Sequence, residues 1–279
     1  LTTAKTRLCC LIGNPVSHSL SPAMFSAAFS KIKIDYAYLA FRVESQDLPA
    51  ALRGLQALEF VGCNVTMPHK LEVVKYMNRL EGAARLIGSV NVVANVNGEL
   101  IGHNTDGSGV LAALNFGEVE IKKRRVLLMG YGGAARAVAF EMASRGKPAE
   151  LIIAGRDQTK ADSLAKELKQ MVKARGIRLD DKVLLSQSVD VIINATPVGM
   201  GPRIHECPVP ESLLEPEVAV LDLVYDPVET RLLNLAKERR CREINGLEVL
   251  VQQGALTFNI WTGLNAPIEE MRKAVKRGE

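Results

Sequence analysis

The chain lacks most of the features that would tie it to a secreted, metal-binding or membrane-embedded protein. Its five cysteines (Cys9, Cys10, Cys63, Cys207 and Cys241) form no C-x-x-C pair, and its four histidines lie scattered without a partner at ligand spacing. Neither a disulfide framework nor a metal site is expected. No stretch approaches the roughly 20 uninterrupted apolar residues that span a bilayer, and the first residues lack the basic and apolar regions of a secretory signal. A cytosolic protein with reduced thiols is expected. The chain begins at Leu1, which leaves processing, trimming and excision from a longer polypeptide all open. Aromatic residues make up only 5%, and 35 basic residues stand against 31 acidic ones with no long basic run. Nucleic-acid binding therefore has no support, and the net charge of +4 suits an anionic cofactor and substrate.

What is present describes a globular α/β protein. At 279 residues and 47% hydrophobic content the chain accommodates two ordinary domains. Residues 1–106 alternate short apolar strands with helical patterns over Ser21 to Lys31, Gln46 to Leu58 and Leu71 to Leu80. From Gly107 a helix leads to Phe116, and a charged turn then opens a second half. That half reads β (Arg125 to Met129), α (Gly133 to Arg145), β (Glu150 to Ala154), α (Thr159 to Ala174), followed by buried strands at Val189 to Asn194 and Val218 to Leu223. The order is that of a doubly wound parallel sheet. Leu247 to Leu264 reads as a long helix carrying Gln252 and Gln253.

Polar clusters sit where strands end, which is where α/β folds keep their chemistry. Asn64-Val65-Thr66-Met67-Pro68-His69-Lys70 follows Phe60 to Val65, and Gly102-His103-Asn104-Thr105-Asp106-Gly107 follows Leu100 to Ile101. Reduction of a ketone by hydride leaves an alkoxide that needs a proton and a nearby cation, and a lysine supplies both. Lys70 is the candidate donor, with Asp106 to hold its ammonium. The plainer alternatives are a solvated lysine and a turn or helix cap at Asp106-Gly107. Ser17 and Ser19, after the run Leu8 to Ile12, offer neutral hydroxyls that suit a carboxylate, whereas Ser21-Pro22 reads as a helix cap.

Val126-Leu127-Leu128-Met129 runs into Gly130-Tyr131-Gly132-Gly133-Ala134-Ala135-Arg136, a strand turning through glycines into a helix. This is a dinucleotide fingerprint in its expected context, although a tight turn without a ligand would look similar. Gly130 permits the turn, Gly132 admits a pyrophosphate, Gly133 and Ala134 open the helix with free N–H groups, and Ala135 allows close packing. At the end of the second strand, Arg156 and Lys160 suit a ribose 2′-phosphate and therefore NADP. Asp157 between them keeps NAD open, and a solvated helix start capped by Asp157 is the bland alternative.

In order and spacing, from about residue 8 to about residue 265, these stretches resemble the shikimate dehydrogenase (shikimate/quinate dehydrogenase) family. The resemblance rests on the combination of S-x-S-x-S-P, N-V-T-x-P-x-K, G-S-V-N, N-T-D-G, G-x-G-G-A-A-R, N-A-T-P-V-G-M, D-L-V-Y-D-P and the late Gln-Gln pair. It implies an N-terminal α/β substrate domain, comprising residues 1–106 and the returning segment 244–279. It also implies a Rossmann-like NADP-binding domain over residues 107–243. It implies NADPH-dependent reduction of 3-dehydroshikimate to shikimate, a step of aromatic amino acid biosynthesis, by the pair Lys70 and Asp106. The substrate groups it implies are Ser17, Ser19, Asn64, Thr66, Asn91, Tyr225 and Gln253, and beside the nicotinamide it implies Thr196, Gly199 and Met200. The family's Asn-Arg-Thr pattern is replaced here by Gly155-Arg156-Asp157. Quinate with NAD, and a catalytically silent ligand-binding regulator, are the competing functions; a homodimer or a place in a multifunctional polypeptide is compatible with the resemblance.

Overall fold

The computed structural model describes residues 2–179 and 188–276. The elements run β1 (Arg7–Gly13), α1 (Ser21–Ile32), β2 (Tyr36–Arg42), α2 (Leu48–Ala57), β3 (Gly62–Val65), β4 (Arg79–Leu80), α3 (Ala83–Ile87), β5 (Val92–Val96), β6 (Glu99–His103) and α4 (Asp106–Phe116). They continue with β7 (Arg125–Met129), α5 (Gly133–Glu141), β8 (Glu150–Gly155), α6 (Gln158–Leu168), β9 (Ala174–Arg178), β10 (Val191–Asn194), β11 (Ala219–Asp222), α7 (Arg231–Glu238), β12 (Arg242–Ile244), α8 (Gly246–Thr262) and α9 (Ile268–Lys276). Two compact units result: Leu1–Asp106 with Val251–Glu279, and Gly107–Leu250. The first division falls at the start of α4. The second falls inside α8, later than residue 244, where the resemblance places the return of the chain.

The first unit is built on a six-stranded sheet in the order β2-β1-β3-β5-β6-β4, with β5 antiparallel to its neighbours β3 and β6. One core cluster gathers Cys10, Ile12, Leu48, Leu52, Val65 and Val93. A second, aromatic cluster gathers six of the 13 aromatic residues of the chain: Phe25, Phe29, Tyr36, Tyr38, Phe258 and Trp261. Phe25 stacks on Tyr38 at 4.6 Å and meets Trp261 at 5.3 Å, while Phe29 packs on Phe258. Full burial of each such side chain stabilises by roughly 1.5–3 kcal/mol. Trp261 donates its indole N–H to the Val93 carbonyl at 3.0 Å. Gly62 makes that reach feasible, since a Cβ there would lie 2.5 Å from the indole nitrogen.

The second unit holds an all-parallel sheet in the order β12-β11-β10-β7-β8-β9. Strand order reverses at β7, leaving a crevice beyond the carboxyl ends of β7 and β10, the position where such sheets bind nucleotides. Val126, Leu127, Leu128 and Met129 are fully buried, which explains why β7 reads as an unbroken apolar run rather than an alternation.

Several elements depart from the sequence expectation. Leu71 to Leu80 does not form a helix: a 3-10 turn at Glu72–Tyr76 gives way to β4. Asn78 pulls the chain onto β6 by donating its N–H to the Leu100 carbonyl and accepting the Leu100 N–H on its side chain. The helix expected to reach Ala174 stops at Leu168, and Ala174–Arg178 pairs as the edge strand β9. Arg175 and Arg178 disguise it by breaking the apolar run. Gly176 is required there, because a Cβ would lie 2.2 Å from the Asp162 nitrogen of α6. The helix after the glycine-rich turn changes to a π turn over Met142–Gly146. Ser21 is the first residue inside α1 rather than its cap, and the Ser19 hydroxyl accepts the Ser21 N–H instead.

Candidate active site

In the first unit, Lys70 and Asp106 come from strand-end segments 36 positions apart and meet directly: Lys70 Nζ donates to Asp106 Oδ2 at 2.6 Å. Both are mostly buried, with side-chain exposures of 20% and 13%. The Val90 N–H fixes the Lys70 carbonyl, and Asn104 Oδ1 accepts the Asp106 N–H at the start of α4.

Asn91 organises this pair. Its Nδ2 donates to Asp106 Oδ1 at 2.7 Å and also lies 3.1 Å from Thr105 Oγ1 and 3.2 Å from Gln253 Oε1. Its Oδ1 accepts the Thr105 N–H at 2.8 Å. Asn91 is 3% exposed, and its amide is held in place by these protein partners. Gln253 points Oε1 into this network and thereby turns its Nε2 away from it. Thr257 links Thr105 to the Gln253 carbonyl.

The ends of β1 and β3 bring two further motifs together. The Asn14 N–H bonds the Met67 carbonyl, and the Thr66 N–H bonds the Ile12 carbonyl. Gly13 allows the approach, since a Cβ there would sit 2.3 Å from the Thr66 methyl. Ser17 is exposed and Ser19 half-buried beside them. Asn64 is buried and accepts the Tyr38 hydroxyl on Oδ1 at 2.8 Å, which leaves Nδ2 as its donor end. Burial holds the Tyr38 phenol well above its ordinary pKa, so it acts only as a neutral donor. His69 is buried, and its Nε2 bonds the Val43 carbonyl at 2.8 Å.

In the second unit, Gly130 adopts φ +110°, and a Cβ there would press within 3.0 Å of the Ala195 carbonyl. Gly132 caps α5 with extended backbone and faces open space, with no side-chain cap and no acidic residue in the first turn. Gly133 and Ala134 begin the helix. Free N–H groups at the positive end of α5 beside an open Gly132 fit a pyrophosphate.

At the end of β8, Arg156 is exposed. Asp157 caps α6, accepting the Lys160 N–H on Oδ1 at 3.3 Å, and its Oδ2 lies 3.8 Å from Lys160 Nζ. The carboxylate is thus occupied by the helix start and a cation. Tyr131 packs on Gly155, where a Cβ would lie 2.3 Å from the ring.

The loop after β10 is held by a buried network that sequence reading does not single out. Asn194 Oδ1 accepts the Thr196 hydroxyl at 2.6 Å, while its Nδ2 donates to the Val198 carbonyl and to Asp222 Oδ1. Thr196 is therefore turned into its own loop, ahead of Gly199 (φ +100°) and Met200. Asp222 also accepts the Val224 N–H and the Thr230 hydroxyl. Desolvation raises its pKa to about 6 despite these three donors. Tyr225 follows three residues later, half-buried, its phenol pushed upward by burial and by Asp226. The signal for Asp222 is an aspartate closing the apolar strand Ala219–Asp222; position alone does not say that it is fully buried.

Family comparisons agree with this construction. Residues 11–93 match the shikimate dehydrogenase substrate binding domain, residues 110–223 match shikimate / quinate 5-dehydrogenase, and residues 246–276 match the shikimate 5'-dehydrogenase C-terminal domain. Shikimate dehydrogenase (NADP(+)) of Methanocaldococcus jannaschii is 43% identical over 284 residues, covering 99% of this chain and 98% of that one. A crystal structure of a shikimate dehydrogenase in complex with NADP+ superposes with a TM-score of 0.92 at 43% identity, covering 99% of this chain and 97% of the other. Shikimate 5-dehydrogenase from Listeria monocytogenes, in complex with shikimate and NAD, follows with a TM-score of 0.91 at 37% identity and coverages of 98% and 97%. With relatives of that identity matched over nearly their whole length, the chain belongs to the shikimate dehydrogenase family.

Proposed function

We propose that the protein catalyses the reversible NADP-linked reduction of 3-dehydroshikimate to shikimate in the cytoplasm, as a step toward the aromatic amino acids. The observation that carries this reading is the Lys70–Asp106 pair at 2.6 Å, braced by Asn91 and set among neutral amides and hydroxyls. Shikimate has one carboxylate and three hydroxyls, which calls for such a lining rather than for a cluster of charges.

The first unit serves as the substrate half and the second as the cofactor half. NADPH, when bound, supplies the hydride. Lys70 Nζ delivers the proton to the substrate oxygen as negative charge develops there, and its residual exposure lets solvent restore that proton. Asp106 holds the ammonium through Oδ2 and accepts a hydrogen bond from the same hydroxyl in the product. The Asn64 Nδ2 end, Thr66 and the Gln253 Nε2 end take ring hydroxyls, and Ser17 and Ser19 take the carboxylate. Asn91 fixes Asp106 and also takes a ring hydroxyl, as the resemblance implies. Gly130, Gly132, Gly133 and Ala134 hold the pyrophosphate, Arg156 and Lys160 the 2′-phosphate, and Thr196, Gly199 and Met200 shape the nicotinamide side. Engagement of Asp157 by the α6 terminus and Lys160 supports NADP over NAD. A homodimer, or fusion to a neighbouring activity, leaves this assignment intact because every residue in it comes from one chain.

The test is absorbance at the reduced-nicotinamide band with shikimate and quinate, each offered with NADP and with NAD. Fast reduction with shikimate and NADP is expected. Turnover confined to quinate or to NAD would move the protein to the quinate-type reading, and silence with every pair would favour a ligand-binding regulator.

A further inference from the structure

The second residue of the glycine-rich turn is a tyrosine, and the strand next to it ends in a glycine. These two facts are one contact. A Cβ on Gly155 would lie 2.3 Å from Tyr131 Cε1 and 2.5 Å from Cδ1, so the ring occupies the space that any side chain at 155 would need. Tyr131 is only partly buried, and Lys160 Nζ lies 5.9 Å from its ring centroid. The same ammonium sits 3.8 Å from Asp157 Oδ2. A lysine this exposed otherwise samples many rotamers, and a ring face with a carboxylate restricts it before any ligand arrives. In a fold of this strand order the ribose 2′ position meets the end of the second strand, here Gly155-Arg156-Asp157.

We infer that Tyr131, seated on Gly155, is a specificity-determining residue for a nucleotide bearing a 2′-phosphate: its ring holds the Lys160 ammonium at the phosphate side of the adenosine ribose. This rests on the NADP reading above and adds to it a residue of the glycine turn that touches no phosphate in the usual scheme. Preorganising the cation strengthens binding of the 2′-phosphate by lowering the ordering cost, and it leaves a ribose with a free 2′-hydroxyl almost unaffected. The ring face is what matters, so the phenolic hydroxyl is dispensable.

Calorimetry on the full chain tests this without turnover, using NADP+, NAD+, adenosine 2′,5′-bisphosphate and adenosine 5′-monophosphate as probes. Tyr131→Ala is expected to weaken the two 2′-phosphorylated probes about fivefold, the size of one exposed cation–π contact, while leaving the other two unchanged. Gly155→Ala displaces the ring and is expected to give the same loss, and the double variant no more than either single one. Tyr131→Phe is expected to bind like wild type. Equal weakening of all four probes, or of none, in Tyr131→Ala would overturn the inference, as would a Phe variant as weak as the Ala variant. Wild-type protein that binds adenosine 2′,5′-bisphosphate no more tightly than the monophosphate would instead overturn the NADP reading itself, and this inference with it.

Discussion

The two units build their sites from opposite materials. In the first, side chains do the work: an ammonium, a carboxylate, amides and hydroxyls bonded to one another, with Asn91 tied to a glutamine 162 positions away. In the second, the proposed pyrophosphate site is made by leaving side chains out: Gly130 turns with positive φ, and Gly132 stays open at the start of α5. The difference follows from the ligands. A polyhydroxylated ring is recognised group by group through directional partners, whereas a pyrophosphate is a compact charge that a helix terminus and close backbone already suit.

The sharpest way to break that contrast is Lys70→Ala. Turnover is expected to fall by about 10²–10⁴-fold, while calorimetry still detects shikimate and NADP+. Unchanged turnover would mean that the chemistry does not lie with the first unit's side chains.

Asp222 is the exception in the second unit, a buried side-chain acceptor beneath the loop after β10. Burial raises its pKa to about 6, so between pH of about 4 and about 6 the folded protein keeps a proton that the unfolded chain has released. Its contribution to stability is complete below that window and is lost as pH rises through about 6, by about 3 kcal/mol in total. Asp222→Asn has no such titration. Urea unfolding across this pH range is expected to show the wild type losing about that amount relative to the variant; a constant difference would refute the assignment.

Gly130→Ala tests the backbone half. Positive φ and the Ala195 carbonyl in the way should cost about 1–3 kcal/mol of stability, and NADP+ binding should weaken while shikimate binding to the folded protein holds. Loss of both ligands together would show that the two sites are not separable. Smallest is Tyr38→Phe, which leaves Asn64 Oδ1 unpaired. A cost of about 1–2 kcal/mol and a raised KM for shikimate with near-normal kcat are expected; an unaltered KM would make Tyr38 a core residue only.

Much of this was readable in advance, and the parts that were not share causes. The glycine-rich turn, Lys70, Asp106 and the buried parallel strands announce themselves locally, by residue types whose conformation or charge has few other uses. The edge strand β9 was hidden because its arginines break the apolar pattern, and β4 because Asn78 bonds to a strand distant in sequence. Tyr38 was hidden for another reason: it reads as an ordinary strand aromatic until its hydroxyl is seen on Asn64. Asn91 is named by its motif, but its bonds to Thr105, Asp106 and Gln253 are visible only in the folded chain.

The sequence by itself determined the fold class, the family and the residues able to carry charge and protons, because periodicity and the special chemistry of glycine, lysine and aspartate act over a few neighbouring positions. Tertiary structure alone decided which polar group faces which. Hydrogen bonds are directional and short, and their partners here lie 15 to 28 positions apart, so only the packed chain could assign Asn91 to Asp106, Tyr38 to Asn64 and Asp222 to the loop that follows β10.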